Sequence, residues 1–251
     1  MAAPINSRGW WNCYFESQWE DNHGREQTRH FISLLVNYLP SKEHQWISRE
    51  RRSVLDWGCA LGDGVDVLRS AFPCCEISGL DFSQVAVEKA RAAYPQYQFL
   101  LTDDGVIPSN YDVIVTSNCL EHYPQPFELA ARHVEHSRYL YLVMVPFEEP
   151  EPKHESHVQR FTINSFPDEI GAFKKLSLTV FRPLPQYWNA PQALVCYGSP
   201  EYHAETAAWR DGLDCGTEAS SCPGSAQAVR LRIAGHRRNG HQTQQIASSH
   251  W

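Results

Sequence analysis

The chain has 251 residues, 42% hydrophobic and 20% charged, which suits one sizeable α/β domain and argues against a disordered or membrane-embedded polypeptide. Its formal net charge is −7, a poor match to non-specific nucleic-acid binding, where Lys and Arg must neutralise phosphates. No apolar run approaches the roughly 20 residues that span a bilayer, and Met1 to Trp11 lacks a basic start followed by an apolar stretch, so no membrane insertion and no secretory signal are expected. The eight cysteines include no CxxC pair, and scattered thiols of this kind are expected to be reduced, in a cytoplasmic protein.

In chain order, Trp10 to Leu39 is rich in aromatics and then carries helical spacing, with Phe31, Leu34, Leu35 and Tyr38 on one face. Pro40 to Arg52 is polar and reads as a connector or a short exposed helix. Ser53–Trp57 is an apolar run that stops at Gly58, as a buried strand does on entering a tight turn. A helix is expected over Asp63–Ala71, a strand over Glu76–Leu80, and a helix over Gln84–Ala93 with Ser83 as N-cap. Strands follow at Tyr97–Leu101 and at Tyr111–Thr116, where a Val-Ile-Val run predicts burial on both faces. A helix over Phe127–Glu135 and a strand over Tyr139–Val145 complete the alternation, which implies a doubly wound, mostly parallel sheet.

Beyond Pro146, the stretch Phe147 to Gln159 is a loop crowded with Glu, Pro and His. Asn164–Phe173 reads as helical despite Pro167, and Lys175–Phe181 and Ala193–Gly198 read as an antiparallel closing hairpin. From residue 204 to 251 the composition shifts toward Ser, Gly, Gln and Arg, and a disordered tail is expected there. The expected organisation is a cap and connector over 1–52, a core over 53–203, and the tail.

The segment Val54-Leu55-Asp56-Trp57-Gly58-Cys59-Ala60-Leu61-Gly62-Asp63-Gly64 sets a strand, a glycine-rich turn and a helix start in immediate succession. Glycine there permits positive φ and close approach of a ligand to the backbone, and the free N–H groups of the helix start favour an electron-rich ligand. Asp81 closes the second strand about 20 residues past these glycines, the place of an acid that accepts from ribose hydroxyls.

With these residues the chain resembles the class I S-adenosylmethionine (SAM)-dependent methyltransferases, from about Trp10 to about Gly198. Asp56, Gly58 and Gly62 match the family's D/E-x-G-x-G-x-G motif, and Ala60 replaces its middle glycine. Ser117-Asn118-Cys119-Leu120-Glu121-His122 is similar to the family's S-N-x-L-E-H segment, which lines the methionine part of the cofactor. The resemblance implies a seven-stranded Rossmann-like sheet with an N-terminal helical cap that closes over SAM. It implies that Asp56 and the turn backbone of Gly58, Cys59, Ala60 and Gly62 hold the amino-acid end of the cofactor. Asp81 then takes the ribose hydroxyls, Phe82 packs on adenine, Asp103 accepts from the adenine amino group, and Asn118 borders the methionine part.

Methyl transfer from a sulfonium needs an aligned nucleophile and, for a hydroxyl, a base, for which His is the usual supplier near neutral pH. His122 follows the fourth strand and either packs beneath the cofactor or takes part in the chemistry. His154 and His157 lie in a segment similar to the family's H-x-x-x-F-T, anchored on His157, Phe161 and Thr162, and His157 is the preferred acceptor-site residue. Glu148, Glu149, Glu151 and Glu155 with the two histidines raise a metal reading. Magnesium prefers oxygen donors and acidic loops are commonly solvated surface, so no metal is expected. The expected function is O-methylation of a small hydroxylated metabolite or saccharide, without nucleic acid or membrane as partner. The alternatives are a SAM-binding protein without catalysis and an NAD-dependent oxidoreductase on a similar sheet.

Overall fold

The computed structural model describes residues 3–103 and 106–211. Ser7 starts the first helix by accepting a hydrogen bond from the Trp10 N–H, and α1 (Arg8–Ser17), α2 (Gly24–Tyr38) and α3 (Ser41–Arg49) precede the first strand. The alternation then runs β1 (Ser53–Trp57), α4 (Asp63–Ala71), β2 (Glu76–Asp81), α5 (Gln84–Ala93), β3 (Gln98–Leu101), β4 (Tyr111–Ser117), α6 (Pro126–Glu135) and β5 (Ser137–Pro146). Three further strands, β6 (Glu169–Ile170), β7 (Phe173–Phe181) and β8 (Gln192–Gly198), lead into α7 (Pro200–Asp211).

All strands join one sheet in the order β3-β2-β1-β4-β5-β8-β7-β6. The first five pair in parallel, whereas β8 runs antiparallel to both β5 and β7. Helices on both faces bury it, and the alternation of β4 shows this: Val113 and Val115 enter one core cluster while Ile114 enters the other. The strand order reverses between β1 and β4, and in open α/β sheets the crevice outside the carboxyl ends at such a point receives the ligand.

The sheet has eight strands, not seven. The additional strand replaces the helix expected over Asn164–Phe173. Pro167 lacks an N–H and Gly171 takes a left-handed φ of +56°, so the chain forms one 3-10 turn at Ile163–Ser165 and then the tight hairpin that pairs Ile170 with Phe173. Phe166, Ile170 and Phe173 have the spacing of a helix face, but they are buried in the core from a turn and two strands.

The connector after Pro40 is likewise not an exposed helix. In α3, Trp46 and Ile47 are fully buried, with the Arg52 guanidinium 3.9 Å over the Trp46 ring. Glu205 of α7 accepts from both Trp46 Nε1 and Arg52, and Tyr202 donates to Glu43 at 2.7 Å, so α7, which packs on β5 and β8, is tied to α3. Helix α7 thus crosses the expected boundary at residue 203, with Tyr202 and Thr206 buried. The rest of the expected tail lies outside the described residues. Cys13, Cys59, Cys75, Cys119 and Cys196 are free thiols, and no described helix is long and apolar enough to cross a membrane.

Candidate active site

A cavity of about 770 Å³ opens at the strand-order reversal. Its floor is the turn after β1. Gly58 and Gly62 have φ of +77° and +84°, and Ala60 shares the left-handed region at +47°. The Gly58 and Cys59 N–H groups donate to the Leu80 carbonyl at 2.8 and 3.0 Å, which fastens the turn to β2. A Cβ on Gly58 would collide with the Cys119 thiol, so glycine at this position lets the segment after β4 close against the turn.

Asp81 ends β2 almost fully buried. One of its carboxylate oxygens accepts from the Ala60 N–H at 3.0 Å and the other from the Ser83 N–H at 2.8 Å. Those bonds fix the carboxylate at the cavity wall. Asp56, one strand over, is buried as well, and burial, followed by repulsion from Asp81, pushes its carboxyl up to about 7. A cationic group arriving in the cavity would favour its ionised form.

Phe82, Asp103 and Asn118 also line the cavity. Asn118 adopts φ +52° and its N–H donates to the Met144 carbonyl, so the chain turns sharply into the cavity at the end of β4. Asp103 is largely exposed and paired with Arg8 of the cap at 2.9 Å. Two of the residues expected at the cofactor, Cys59 and Gly62, do not face the cavity. Cys59 is buried against Gly79, and Gly62 caps α4 beneath Phe99, so their contribution is the shape of the turn.

The cap closes one side. Asn12 of α1 accepts from Ser83 Oγ at 2.6 Å and Lys89 of α5 donates to the Phe15 carbonyl, which seats α1 on α5. Trp10 stacks on Tyr14, and Trp11 lies edge-on to His122 with ring centres 5.0 Å apart. Asn6 donates to the carbonyls of both His122 and Ser156, joining the chain start to two loops at once. Gln27 of α2 holds the Tyr187 carbonyl at 2.7 Å, which brings the β7–β8 connection and its Trp188 over the cavity.

The three histidines meet at the far end. His122 and His157 have ring centres 5.1 Å apart, as do His154 and His157. His157 Nδ1 is 2.7 Å from a carboxylate oxygen of Glu149, and His122 Nδ1 is 3.1 Å from the Ser156 carbonyl. The Ser156 carbonyl only accepts, so the His122 ring donates to it from Nδ1, and the same assignment at the Glu149 contact leaves a lone pair on His157 Nε2. Burial lowers the His122 pKa to about 3, and burial also lowers that of His157 against the opposing pull of Glu149. Glu121 is buried beside them, and burial raises its carboxyl to about 8, with the Glu149 charge adding to the rise. Glu121 carried no role of its own in the sequence reading, and Glu149 entered it only among the acids of the metal reading. Glu121 stood in the quoted S-N-x-L-E-H segment, while Glu149 was indistinguishable from the surface acids around it.

Residues 55–138 match the family model described as a methyltransferase domain. A trans-aconitate 2-methyltransferase of Methylobacterium radiotolerans is 32% identical over 93 residues, 37% of this chain and 31% of that relative. A protein of the same name from Variovorax paradoxus is 29% identical over 126 residues, 49% of this chain and 44% of its own length, so each match spans less than half of the curated relative. Among solved structures, the magnesium protoporphyrin IX methyltransferase of Synechocystis PCC 6803 with bound SAM superposes with a TM-score of 0.58 at 14% identity, over 79% of this chain and 100% of that one. The fold and the β1 turn are those of a Rossmann-like ligand-binding domain. More narrowly, residues 55–138 match a methyltransferase domain, and the superposed Synechocystis methyltransferase has SAM bound on the same fold.

Proposed function

We propose that this protein transfers a methyl group from SAM to the hydroxyl of a small metabolite or saccharide bound at the histidine end of the cavity. The observation that carries this reading is the His157–Glu149 pair opening into the same cavity as the Ala60–Asp81 wall. SAM supplies an already activated methyl, so the chain's own residues need to orient, exclude water and manage one proton. Asp81 holds the ribose hydroxyls, Asp56 and the turn backbone hold the amino-acid end, Phe82 and Asp103 border the adenine, and Asn118 borders the methionine part. The aromatic cap excludes water above them.

At the acceptor end, Glu149 fixes the His157 tautomer, and burial keeps the ring neutral near pH 7, so Nε2 is free to take the hydroxyl proton. His154 and His122 serve as neighbours that shape the acceptor pocket. The curated relatives are named for trans-aconitate, a small carboxylate, which supports a small-molecule acceptor.

Calorimetric titration with SAM, S-adenosylhomocysteine and NAD tests the cofactor half. Binding of the first two and not the third is expected, with at least a 100-fold loss in Asp81→Ala. Equal affinity of that variant for SAM would remove the site assignment. His157→Ala should keep SAM and lose turnover, and full activity would refute its role. SAM binding without conversion to S-adenosylhomocysteine, across a panel of sugars and hydroxy acids, would favour the non-catalytic alternative.

A further inference from the structure

The histidine end of the cavity contains more than a base. Glu121 and His122, which follow β4, and His157, from the loop after β5, each offer a donor atom within 4.8 Å of the other two. The acid-rich stretch after Pro146 is not what assembles this set, since only His157 comes from it. Among the described residues, Glu121 Oε2 is buried without a hydrogen-bond partner, although Glu121 is only 1% exposed. A buried carboxyl oxygen left unsatisfied costs free energy unless something else occupies its lone pairs.

The surroundings fit a cation. Val158 and Gln159 both donate to the Glu121 carbonyl, at 2.9 and 3.1 Å, which locks the Glu121 backbone to the His157 loop. His157 Nε2 lies 4.0 Å from Glu121 Oε1. Each imidazole is already held from behind at Nδ1, by the Glu149 carboxylate and by the Ser156 carbonyl. That is the outer-shell arrangement which orients a ligating histidine and leaves its second nitrogen as the donor.

We propose that Glu121, His122 and His157 bind a divalent first-row transition cation of the zinc type, with Glu149 as the carboxylate that orients His157. Two imidazoles and one carboxylate make a donor set suited to zinc, cobalt or iron, whereas magnesium prefers oxygen donors and retained waters. The donors lie within 4.8 Å of one another and must close to the roughly 3.4 Å separation of a tetrahedral shell, a side-chain adjustment that the cation would drive. Three protein ligands leave an open position, and all three residues line the cavity. With a cation present, His157 is a ligand rather than the base; an acceptor hydroxyl at the open position would be acidified by the cation and lose its proton to solvent, and its oxygen would take the methyl as S-adenosylhomocysteine departs. This link to methyl transfer rests on the function proposed above, while the binding site does not.

The test is a titration of chelator-treated full-length protein with Co²⁺, read by the visible absorption of the ion, alongside Zn²⁺ and Mg²⁺ calorimetry. One Co²⁺ per chain is expected, displaced by Zn²⁺ and not by Mg²⁺. Affinity should fall at least 30-fold in Glu121→Gln and in His157→Ala, and about 10- to 100-fold in Glu149→Gln. Unchanged affinity in all three variants, or no Co²⁺ spectrum in the parent protein, would overturn the site. SAM titration of the same samples reports whether each variant is folded. SAM binding without Co²⁺ binding rejects the cation site and spares the methyltransferase reading, and Co²⁺ binding without SAM binding does the reverse.

Discussion

At the β1–β2 end of the cavity, ligand-facing groups are set by main chain: left-handed residues at Gly58 and Ala60, an Asp81 carboxylate pinned by two backbone N–H groups, and strands paired in register. At the β5 end, the same cavity is walled by side chains from loops, where His122, His154, His157, Glu121 and Glu149 come from two segments and are tied together by Asn6 of the cap. The first end depends on local geometry that one strand–turn–helix unit supplies. The second depends on several distant pieces arriving together. Cofactor binding should therefore be robust to changes among the loops, and acceptor binding should not.

The largest expected effect strikes the first end directly. Gly58→Ala places a Cβ at positive φ and against the Cys119 thiol, which combines backbone strain with overpacking and should cost about 3 kcal/mol of stability. SAM affinity should fall about 100-fold, measured by calorimetry on the fraction that stays folded. A Kd within threefold of the parent protein would show that the turn tolerates displacement and would break the contrast.

Trp188→Ala sharpens the contrast from the other side. Trp188 lies 5.4 Å from the His157 ring and lines the cavity. Its removal should leave SAM affinity within about twofold while raising the acceptor KM at least tenfold. A matching loss of SAM affinity would mean that the two ends are one rigid unit.

Proton linkage probes Asp56. Its carboxyl titrates at about 7 in the free protein, and the SAM ammonium should draw it down. Binding at pH 6 should release close to ~0.9 proton, falling toward zero by pH 8.5, as read from the binding enthalpy in buffers of different ionisation enthalpy. No release at pH 6 would place the ammonium away from Asp56.

A smaller effect concerns the support under the turn. His133 is fully buried, 4.3 Å from the Trp57 ring and hydrogen-bonded to Tyr141, and burial lowers its pKa to about 3. Unfolding frees it to bind a proton below about pH 6.5, so stability is full above that value and falls as the pH drops toward 3. His133→Gln should reduce this slope between pH 6.5 and 5 by up to ~1.4 kcal/mol per pH unit, measured by urea unfolding. An unchanged slope would assign the acid sensitivity to other groups.

The geometry of the β1–β2 end was legible because its determinants are contiguous. Asp56, Gly58, Asp81 and the N-cap Ser83 were read from a strand, a turn and a spacing, and the strands from β1 to β5 fell within a few residues of their expected bounds. The β5 end was read by residue type, so His122, His154 and His157 were named, while Glu121 had no role and Glu149 appeared only among the acids of the metal reading. Helical spacing at Phe166, Ile170 and Phe173 misled, since Pro167 and Gly171 turn that face into a hairpin. The polar surface of α3 hid Trp46, which is held by the nearby Arg52 and by Glu205, far from it along the chain.

The sequence by itself determined the α/β alternation, the parallel sheet and the ligand-binding turn, because hydrophobic period and glycine conformation act within a few residues. Only the tertiary structure decided the eighth strand, the clasp of α3 by α7 and the meeting of Glu121 with His157. Each of those depends on which side chains are taken out of water together, and burial of polar groups is decided by partners the chain supplies from elsewhere.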